Sequence, residues 1–529
     1  MTDDLGGTDI DADTTLDAGA TPASSASLTN KQLRGSSLLL VGRFISLGVN
    51  FAVQVLIVRY LTESAYGAFA LALSLASLGA TIVTFGLDRG VGRFLAVYDE
   101  RGDHARIFGT LAMVAGTVLS LSLALILLVV GLQGTFLGTV VSDPQAATLL
   151  LILIFLAPID AADNLLGGVL AVFASARSIF VRKYVVGPVL RLTTVVLLVL
   201  GRFEVDFLAA GYVISGAIGV ALYATILWRV MGQRGLLAKF RWSEMHVPAR
   251  EILTFTFPLL STDLLFIAMN TTDALFLGYF HGTSEVAALR VIQPLAGLNL
   301  LVYSSFTILY MPIASRLFAR NDRAGVANLY WRTAIWMAVF SFPVFAVTTS
   351  LATPVTVALY DQRYADSALY LAMLSFGAYM NAALGFNGLT LRVFGFIRYT
   401  IVINLLAAAL NIILNLTLIP PLGALGAAIS TTATMIVHNI LKQLGLRRGT
   451  GIDVFAWQYL RVYVLIAAAA AGLALVQWLF DPNVVVGLAL AALASLVVLL
   501  SNRRLLRVEE TFPEVLRLPF MRRLLGPGR

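Results

Sequence analysis

The chain has 529 residues, of which 59% are hydrophobic and only 12% charged, and its formal net charge is +8. Soluble proteins carry about twice that share of charged residues, so the composition excludes a soluble enzyme with one anchor and indicates a polytopic membrane protein. There is no cysteine, which excludes disulfides and thiolate chemistry, and the four histidines lie far apart in sequence. We therefore predict no metal and no cofactor.

The chain begins with a polar segment, 1–32, that we predict to be a disordered acidic tail, because its first thirty residues hold six aspartates and no lysine or arginine. Fourteen apolar segments follow, each long enough to cross a bilayer as a helix. They cover residues 36–58, 65–86, 107–131, 147–172, 184–201, 207–230, 253–277, 284–310, 331–352, 367–390, 399–419, 423–441, 458–480 and 483–501. We predict an all-α membrane protein with 14 transmembrane helices.

The spacing of these helices divides the chain into two lobes and a terminal pair. The predicted units are an N-lobe of six helices at 33–230, a linker at 231–252, a C-lobe of six helices at 253–441, a loop at 442–457, a final helix pair at 458–501 and a basic tail at 502–529. The tail mixes basic and apolar residues at helical spacing, which favours a place on the inner leaflet. A partner-docking element is the alternative.

Basic residues are concentrated in the loops that follow even-numbered helices, as expected for loops on the cytoplasmic side. The odd-numbered loops hold only Arg59, Arg202 and Arg363. A miscounted helix would invert this pattern after the error, so the pattern predicts fourteen helices with both termini in the cytoplasm.

A shift of about 220 residues brings the two lobes into register, which predicts a duplicated bundle. For example, RYLTESAYGAFAL from Arg59 aligns with GYFHGTSEVAALR from Gly278. An even number of helices per unit gives both units the same orientation, so the predicted repeat is parallel, with its axis along the membrane normal.

Two segments carry a resemblance to a known family: VRYLTESAYGAFALALSLASLGATIVTFGLDRGVGRFLA and FPLLSTDLLFIAMNTTDALFLGYFHGTSEVAALR. With the two lobes and the extra pair, the chain over about 33–500 resembles the polysaccharide-transport (oligosaccharide flippase) family of the multidrug/oligosaccharidyl-lipid/polysaccharide exporter superfamily. The resemblance implies a bundle around a central cavity that moves a lipid-linked oligosaccharide across the plasma membrane. The partners it implies are that substrate, membrane lipid, H⁺ or Na⁺ as coupling ion, and glycan-assembly enzymes, with no nucleic acid.

Three arginines lie deep within the predicted helices, at least six residues from either end, where an unpaired charge is costly. Arg43 and Arg191 are on the first and fifth helices and Arg290 is on the eighth. Each is either an interfacial or ion-paired residue or a ligand for the phosphate of the substrate. We also include Asn270 among the candidate substrate ligands.

Acidic residues form two stripes, one on the fourth predicted helix and one on the seventh. Asp160 and Asp163 are three residues apart and therefore share a face, as do Asp263 and Asp273. These faces should not point at lipid. The carboxylates are candidates for ion pairs with the intramembrane arginines, for binding of a coupling cation or proton, or for contact with sugar.

Together these features predict a flippase that translocates a polyprenyl-phosphate or polyprenyl-pyrophosphate glycan from the inner to the outer leaflet by alternating access, for cell-surface polysaccharide or glycoconjugate synthesis. A cation-coupled exporter of small molecules from the same superfamily is the first alternative. An integral-membrane glycan polymerase or ligase is less consistent with the short odd-numbered loops. The prediction is thus a transporter and not an enzyme.

Overall fold

The computed structural model describes residues 22–131, 143–174, 176–257 and 260–506. All regular secondary structure in these ranges is helical. The six aspartates of the predicted acidic tail and residues 507–529 of the predicted basic tail lie outside the described residues. The first helix begins at Pro22, so it overlaps the end of the segment predicted to be disordered.

The first half of the chain contains nine α-helices and one π-helical segment among its described residues. They are α1 (Pro22–Tyr60), α2 (Glu63–Thr84), α3 (Leu87–Glu100), α4 (His104–Gly131), α5 (Pro144–Leu153), α6 (Leu156–Phe173), α7 (Ala176–Phe180), the π-helix (Val181–Val186), α8 (Gly187–Gly201) and α9 (Val205–Gln233). Side chains cap three of the helix starts: Thr62 accepts a hydrogen bond from the Ala65 amide at 3.3 Å, Asp103 one from the Arg106 amide at 3.0 Å, and Asp143 one from the Gln145 amide at 2.8 Å.

A linker with 3₁₀ turns at Leu237–Lys239 and Trp242–Glu244 leads to the second half. The helices described there are α10 (Ala249–Thr256), α11 (Leu260–Asn270), α12 (Thr272–Phe280), α13 (Thr283–Arg290), α14 (Gln293–Gly297), α15 (Leu301–Ala319), α16 (Arg323–Ser350), α17 (Ala352–Tyr360), α18 (Ser367–Ala383), α19 (Asn387–Val393), α20 (Ile397–Leu422), α21 (Ala424–Thr450), α22 (Leu460–Phe480), α23 (Val484–Ser501) and α24 (Arg503–Leu506).

Thirteen helical segments of the described chain are long and apolar enough to cross a membrane, and they match thirteen of the fourteen predicted spans. The exception is the seventh predicted span, 253–277, whose described residues belong to α10, α11 and α12. The break between α11 and α12 falls at Thr271, and just after it the Asp273 carboxylate accepts a hydrogen bond of 2.7 Å from the Ala274 amide, which a continuous helix would donate to the Asn270 carbonyl. The protein is thus an all-α polytopic membrane protein whose seventh span is interrupted.

The bundle has two ends that can be told apart by charge. We call the end that carries α3, the linker and the other loops after even-numbered spans the basic end, and the other the opposite end. One buried apolar cluster contains residues of both halves, such as Val58 and Leu71 with Leu277 and Val286. The two halves therefore share a hydrophobic core.

Exposed aromatic residues mark both ends of the bundle. Trp228, Trp242 and Trp457 are exposed at the basic end, and Trp478 and Phe480 are exposed at the opposite end. Tryptophan is enriched where a membrane meets water, so these side chains indicate the two interfaces of a bilayer. The many exposed leucines and valines between them are consistent with lipid contact.

Candidate functional site

A cavity of about 760 Å³ lies between the two halves. The first half contributes α1 and the π-helix to its wall, and the second half contributes the segment around α14 and the start of α15. The lining residues are Arg43, Ser46, Leu47, Asn50, Lys183, Tyr184, Pro294, Gly297, Leu298, Leu300, Leu301 and Ser304. Both charged residues in this lining are cations, and both come from the first half.

Arg43 reaches the cavity because α1 packs closely against α7 and the π-helix. A Cβ atom at Gly42 would lie within 2.6 Å of the Phe180 ring and 2.9 Å of the Tyr184 ring, so only glycine permits this approach. Arg43 is the next residue, and it is exposed to the cavity. No described residue forms an ion pair or hydrogen bond with the side chain of Arg43 or Lys183.

The π-helix places neighbouring cations in different environments. Lys183 lines the cavity, whereas Arg182 is only 8% exposed and is directed into the first half. Its Nη2 lies 2.5 Å from Asp163 Oδ1, and its guanidinium lies 5.3 Å from the centre of the Tyr223 ring. Short π-helical segments are frequent at functional sites.

Asp163 is therefore paired with Arg182, and among the described residues it has no ion pair with Arg43 or Arg191. In the sequence, Arg182 falls in the basic loop between the predicted helices 147–172 and 184–201. The wider turn of the π-helix, which the hydrophobic pattern of the sequence does not reveal, brings its side chain into the helical bundle.

Asp160 and Arg191 lie near each other but are not in salt-bridge contact. Arg191 acts electrostatically on Asp160, and its guanidinium lies 5.5 Å from the centre of the Tyr212 ring. Asp160 is half-buried and has no hydrogen-bond partner in the described part of the chain. It is thus a carboxylate that is available to bind a cation or a proton.

Arg290 braces the interruption in the seventh span. Its Nη2 donates to the carbonyl oxygen of Asn270 at 2.5 Å and lies 3.5 Å from Asp273 Oδ1, and its Nη1 donates to Gln293 Oε1 at 2.7 Å. Asp273 is 1% exposed and also accepts from Gln293 at 3.1 Å. The arginine satisfies a carbonyl that the helix break leaves free, as required inside a membrane. Arg290, Asn270 and Asp273 are brought together, and none of them lines the cavity.

Asp263 joins the two halves at the basic end, where it forms an ion pair with Arg89 on α3. Nearby, Tyr98 Oη donates to Glu251 Oε2 at 3.0 Å, which connects α3 to α10. On the sequence alone, Arg89 is a loop residue with a topological role only. Its partner could not be identified because the contact joins residues 174 positions apart.

Two arginines join the halves at the opposite end. Arg59, at the end of α1, donates to the carbonyl oxygens of Leu359, at 2.8 Å, and of Ala358 in α17. Arg363 donates in return to the carbonyl oxygens of Leu61, at 2.9 Å, and of Val58 in α1. Each arginine thus satisfies the free carbonyls and the negative dipole end of a helix in the other half.

These two residues are two of the three exceptions to the charge bias of the loops. Because each of them contacts carbonyls at the end of a helix in the other half, a positive charge in these loops has a structural role. Next to them, Thr283 Oγ1 lies 3.2 Å from Ser64 Oγ and donates to Asp143 at 2.7 Å. The halves are therefore in polar contact at both ends.

Comparisons with known proteins agree with this architecture. The family model described as polysaccharide biosynthesis protein matches residues 32–318, and the model MatE matches residues 258–417. An uncharacterised membrane protein of Methanocaldococcus jannaschii is 22% identical over 428 residues, which are 77% of this chain and 82% of that protein.

Two solved structures are similar to most of this chain. The lipid II flippase MurJ in an inward closed conformation has a TM-score of 0.69 and 14% identity, and the match covers 89% of this chain and 100% of that chain. A multidrug resistance MATE family transporter in an inward-facing conformation has a TM-score of 0.60 and 14% identity, covering 76% of this chain and 95% of that one. At such low identity these likenesses show the fold alone.

Proposed function

Since the chain belongs to the polysaccharide biosynthesis protein family of the multidrug/oligosaccharidyl-lipid/polysaccharide exporter superfamily, we propose that it is a flippase for lipid-linked oligosaccharides. The substrate is a glycan on a polyprenyl phosphate or pyrophosphate, and it moves from the inner to the outer leaflet of the plasma membrane. The basic end, and both termini with it, face the cytoplasm. The glycan serves the synthesis of a cell-surface polysaccharide or glycoconjugate.

The observation that carries this proposal is the pair of cations in the cavity. Arg43 and Lys183 line it without an ion-pair partner in the described residues, and the described lining contains no carboxylate. A charge held within a membrane protein is costly unless it meets a partner or water. A phosphate or pyrophosphate group supplies that partner, and Arg and Lys bind phosphate through charge-assisted hydrogen bonds.

The remaining lining suits the other parts of the substrate. Ser46, Asn50, Tyr184 and Ser304 provide hydroxyl and amide groups for a glycan, and the leucines of the second-half wall give an apolar surface. The Asn50 amide donates to the Ser46 carbonyl at 2.7 Å, so its oxygen is the group available to a sugar hydroxyl. Arg191, about two turns beyond Lys183 in the chain, is not among the residues that line this cavity, and its guanidinium lies over the Tyr212 ring.

Movement of the halves requires a driving ion, and Asp160 is the group that we propose binds it, as H⁺ or Na⁺. Asp163 is in salt-bridge contact with Arg182, whereas Asp160 has no ion pair among the described residues and only feels Arg191 and Arg182 at longer range. Asp273, Arg290 and Asn270 are held in contacts within the second half, whereas Asp263 pairs with Arg89 of the first half. We propose that the first three stabilise the broken seventh span and that Asp263 keeps the two halves in register.

A cation-coupled exporter of small molecules is the second candidate. The match of the MatE model to residues 258–417 and the available carboxylate of Asp160 favour it. A cationic drug, however, needs acids in the cavity, and the charged residues of the described lining are basic. The anionic lipid-linked glycan is therefore the better fit.

The test is reconstitution of the full-length protein into liposomes that contain a radiolabelled polyprenyl-pyrophosphate oligosaccharide, with an imposed proton or sodium gradient. Exposure of glycan on the other leaflet should depend on the protein and on a gradient. Replacing Arg43 and Lys183 with Gln should abolish exposure, whereas Arg316→Gln combined with Arg320→Gln, an equal change of charge outside the cavity, should not. Full activity of the double variant would show that transport does not need the cavity cations.

The same vesicles separate the two candidate functions. A small cationic dye offered in place of the glycan should not be transported. If the dye is transported and the glycan is not, the protein is the small-molecule exporter.

A further inference from the structure

A second basic cavity lies at the basic end, away from the one between the halves. It has a volume of about 400 Å³ and is lined by His104, Ala105 and Phe108 of α4 and by Ala238, Lys239, Arg241 and Glu244 of the linker. It shares no lining residue with the central cavity. The proposed transport function does not use it.

The linker is firmly docked on α4, so this cavity is a built feature. The His246 amide donates to the Ala105 carbonyl at 3.2 Å. A Cβ at Gly109 would lie 1.8 Å from the His246 carbonyl oxygen, which shows how closely the two backbones approach. The Phe240 ring packs edge-on against Phe108 with ring centres 4.9 Å apart. These contacts hold both walls of the cavity in place.

The charge in the cavity is positive and incompletely neutralised. Lys239 Nζ lies 3.0 Å from His104 Nε2. An ammonium group only donates, so Lys239 donates to this histidine nitrogen. A contact with an imidazole supplies no negative charge, and no described carboxylate forms an ion pair with Lys239.

Arg241 has a weak partner. It forms an ion pair of 3.0 Å with Glu244, but both side chains are mostly exposed, and the two lie three residues apart in one turn. Such exposed pairs contribute little to stability, so a stronger anion can replace Glu244 at small cost. Lys239 and Arg241 together present two cations to the same space.

The position of the cavity indicates the source of the anion. Trp242, beside Arg241, is 74% exposed, and its ring packs on Phe240 with centres 5.1 Å apart. Exposed tryptophans at this end mark the membrane interface, so the cavity lies at the level of lipid headgroups. A ligand there meets cations on one side and an exposed aromatic surface on the other.

We propose that this cavity binds the phosphate-bearing headgroup of an anionic phospholipid of the inner leaflet. Lys239 and Arg241 hold the phosphate, and Trp242 rests among the glycerol and acyl groups. The linker leads directly into α10, whose Glu251 contacts Tyr98 of α3 at 3.0 Å. An occupied site therefore steadies the segment that joins the two halves.

The test measures binding by the full-length protein in a neutral detergent, followed as the shift of its thermal unfolding midpoint. The probes are dioctanoyl phosphatidylglycerol, dioctanoyl phosphatidylcholine and inorganic phosphate. Phosphatidylglycerol should give a saturable increase that phosphatidylcholine does not. Lys239→Gln combined with Arg241→Gln should weaken the apparent affinity about tenfold or more, since two charge-assisted contacts are lost.

Two further variants keep the test decisive. Ala238→Trp fills the cavity without changing its charge and should also abolish the effect. Arg316→Gln combined with Arg320→Gln removes two exposed cations from the same end of the other half and should leave the affinity within about twofold of the wild type.

Equal stabilisation of all variants by phosphatidylglycerol, or equal effects of the two lipids, would overturn the proposal. A shift with inorganic phosphate alone, lost in the cavity variants, would overturn the lipid assignment in favour of a soluble phosphate ligand. These results do not depend on glycan transport, so they stand or fall separately from the proposed function.

Discussion

Replacement of Gly219 by alanine is expected to break the buried ion pair between Arg182 and Asp163. A Cβ atom at Gly219 would lie 1.9 Å from Arg182 Nη2, inside any van der Waals limit. The guanidinium cannot simply move away, because the Tyr223 ring lies 5.3 Å from it, and a Cβ at Gly187 would lie only 2.9 Å from its Nη1. Arg182 must therefore withdraw from Asp163.

The magnitude follows from burial. The side chains of Arg182 and Asp163 are 10% and 26% exposed, so the pair is largely removed from water. Loss of one partner of a buried pair costs about 3–5 kcal/mol, and the lower end applies because the arginine is displaced and not deleted. With an unfolding entropy of roughly 2 cal/mol/K per residue, about 3 kcal/mol corresponds to a decrease of about 3 °C in the unfolding midpoint of a chain of this length. Membrane helices that stay helical on unfolding reduce that entropy and so enlarge the shift.

The assay is thermal unfolding of the purified full-length protein in detergent, with Gly116→Ala as the matched control. Gly116 lies in α4, and no heavy atom lies within 4 Å of the position that a Cβ would take there, so alanine should be neutral or slightly stabilising. A second comparison introduces Gly219→Ala into an Arg182→Ala background, where the clash no longer exists. If Gly219→Ala costs as much in that background, or nothing in the wild type, the reasoning about the ion pair is refuted.

Two further predictions concern the opposite end, in a chain that has no cysteine of its own. Ser64→Cys with Thr283→Cys should form a disulfide on oxidation, because the two hydroxyl oxygens lie 3.2 Å apart. The cross-link should stop glycan transport until a reductant is added. Transport at the full rate by the cross-linked protein would show that this end need not open. Adding Arg59→Gln and Arg363→Gln to the cysteine pair should lower the yield of the cross-linked protein, because four helix-end carbonyls lose their donors. The yield is measured by gel electrophoresis. An unchanged yield would show that these arginines do not hold the halves together.

The helices could largely be predicted from the sequence because apolar runs and basic loops are local signals. The interruption near Asn270 could not, since polar residues are tolerated in other predicted helices and the contact that stabilises the break comes from Arg290, twenty residues later. Hydropathy reports the cost of leaving water and carries no information about such a brace.

Of the candidate site, Arg43 could be identified from the sequence, but its neighbours in the cavity could not. Lys183 and Arg182 looked like two loop cations, and only the π-turn separates them, one toward the cavity and one toward Asp163. The intramembrane carboxylates were found by their spacing, but their partners were not, because pairing depends on helix rotation and on contacts between distant segments.

The exchange of arginines between α1 and α17 also bears on how the protein is made. Arg363 is 302 residues beyond Leu61, the residue whose carbonyl it satisfies, so α1 enters the membrane long before its cap has been synthesised. Arg59 is likewise synthesised before α17 exists to receive it. During biogenesis the first half therefore lacks these contacts, and both form only after the second half has been translated.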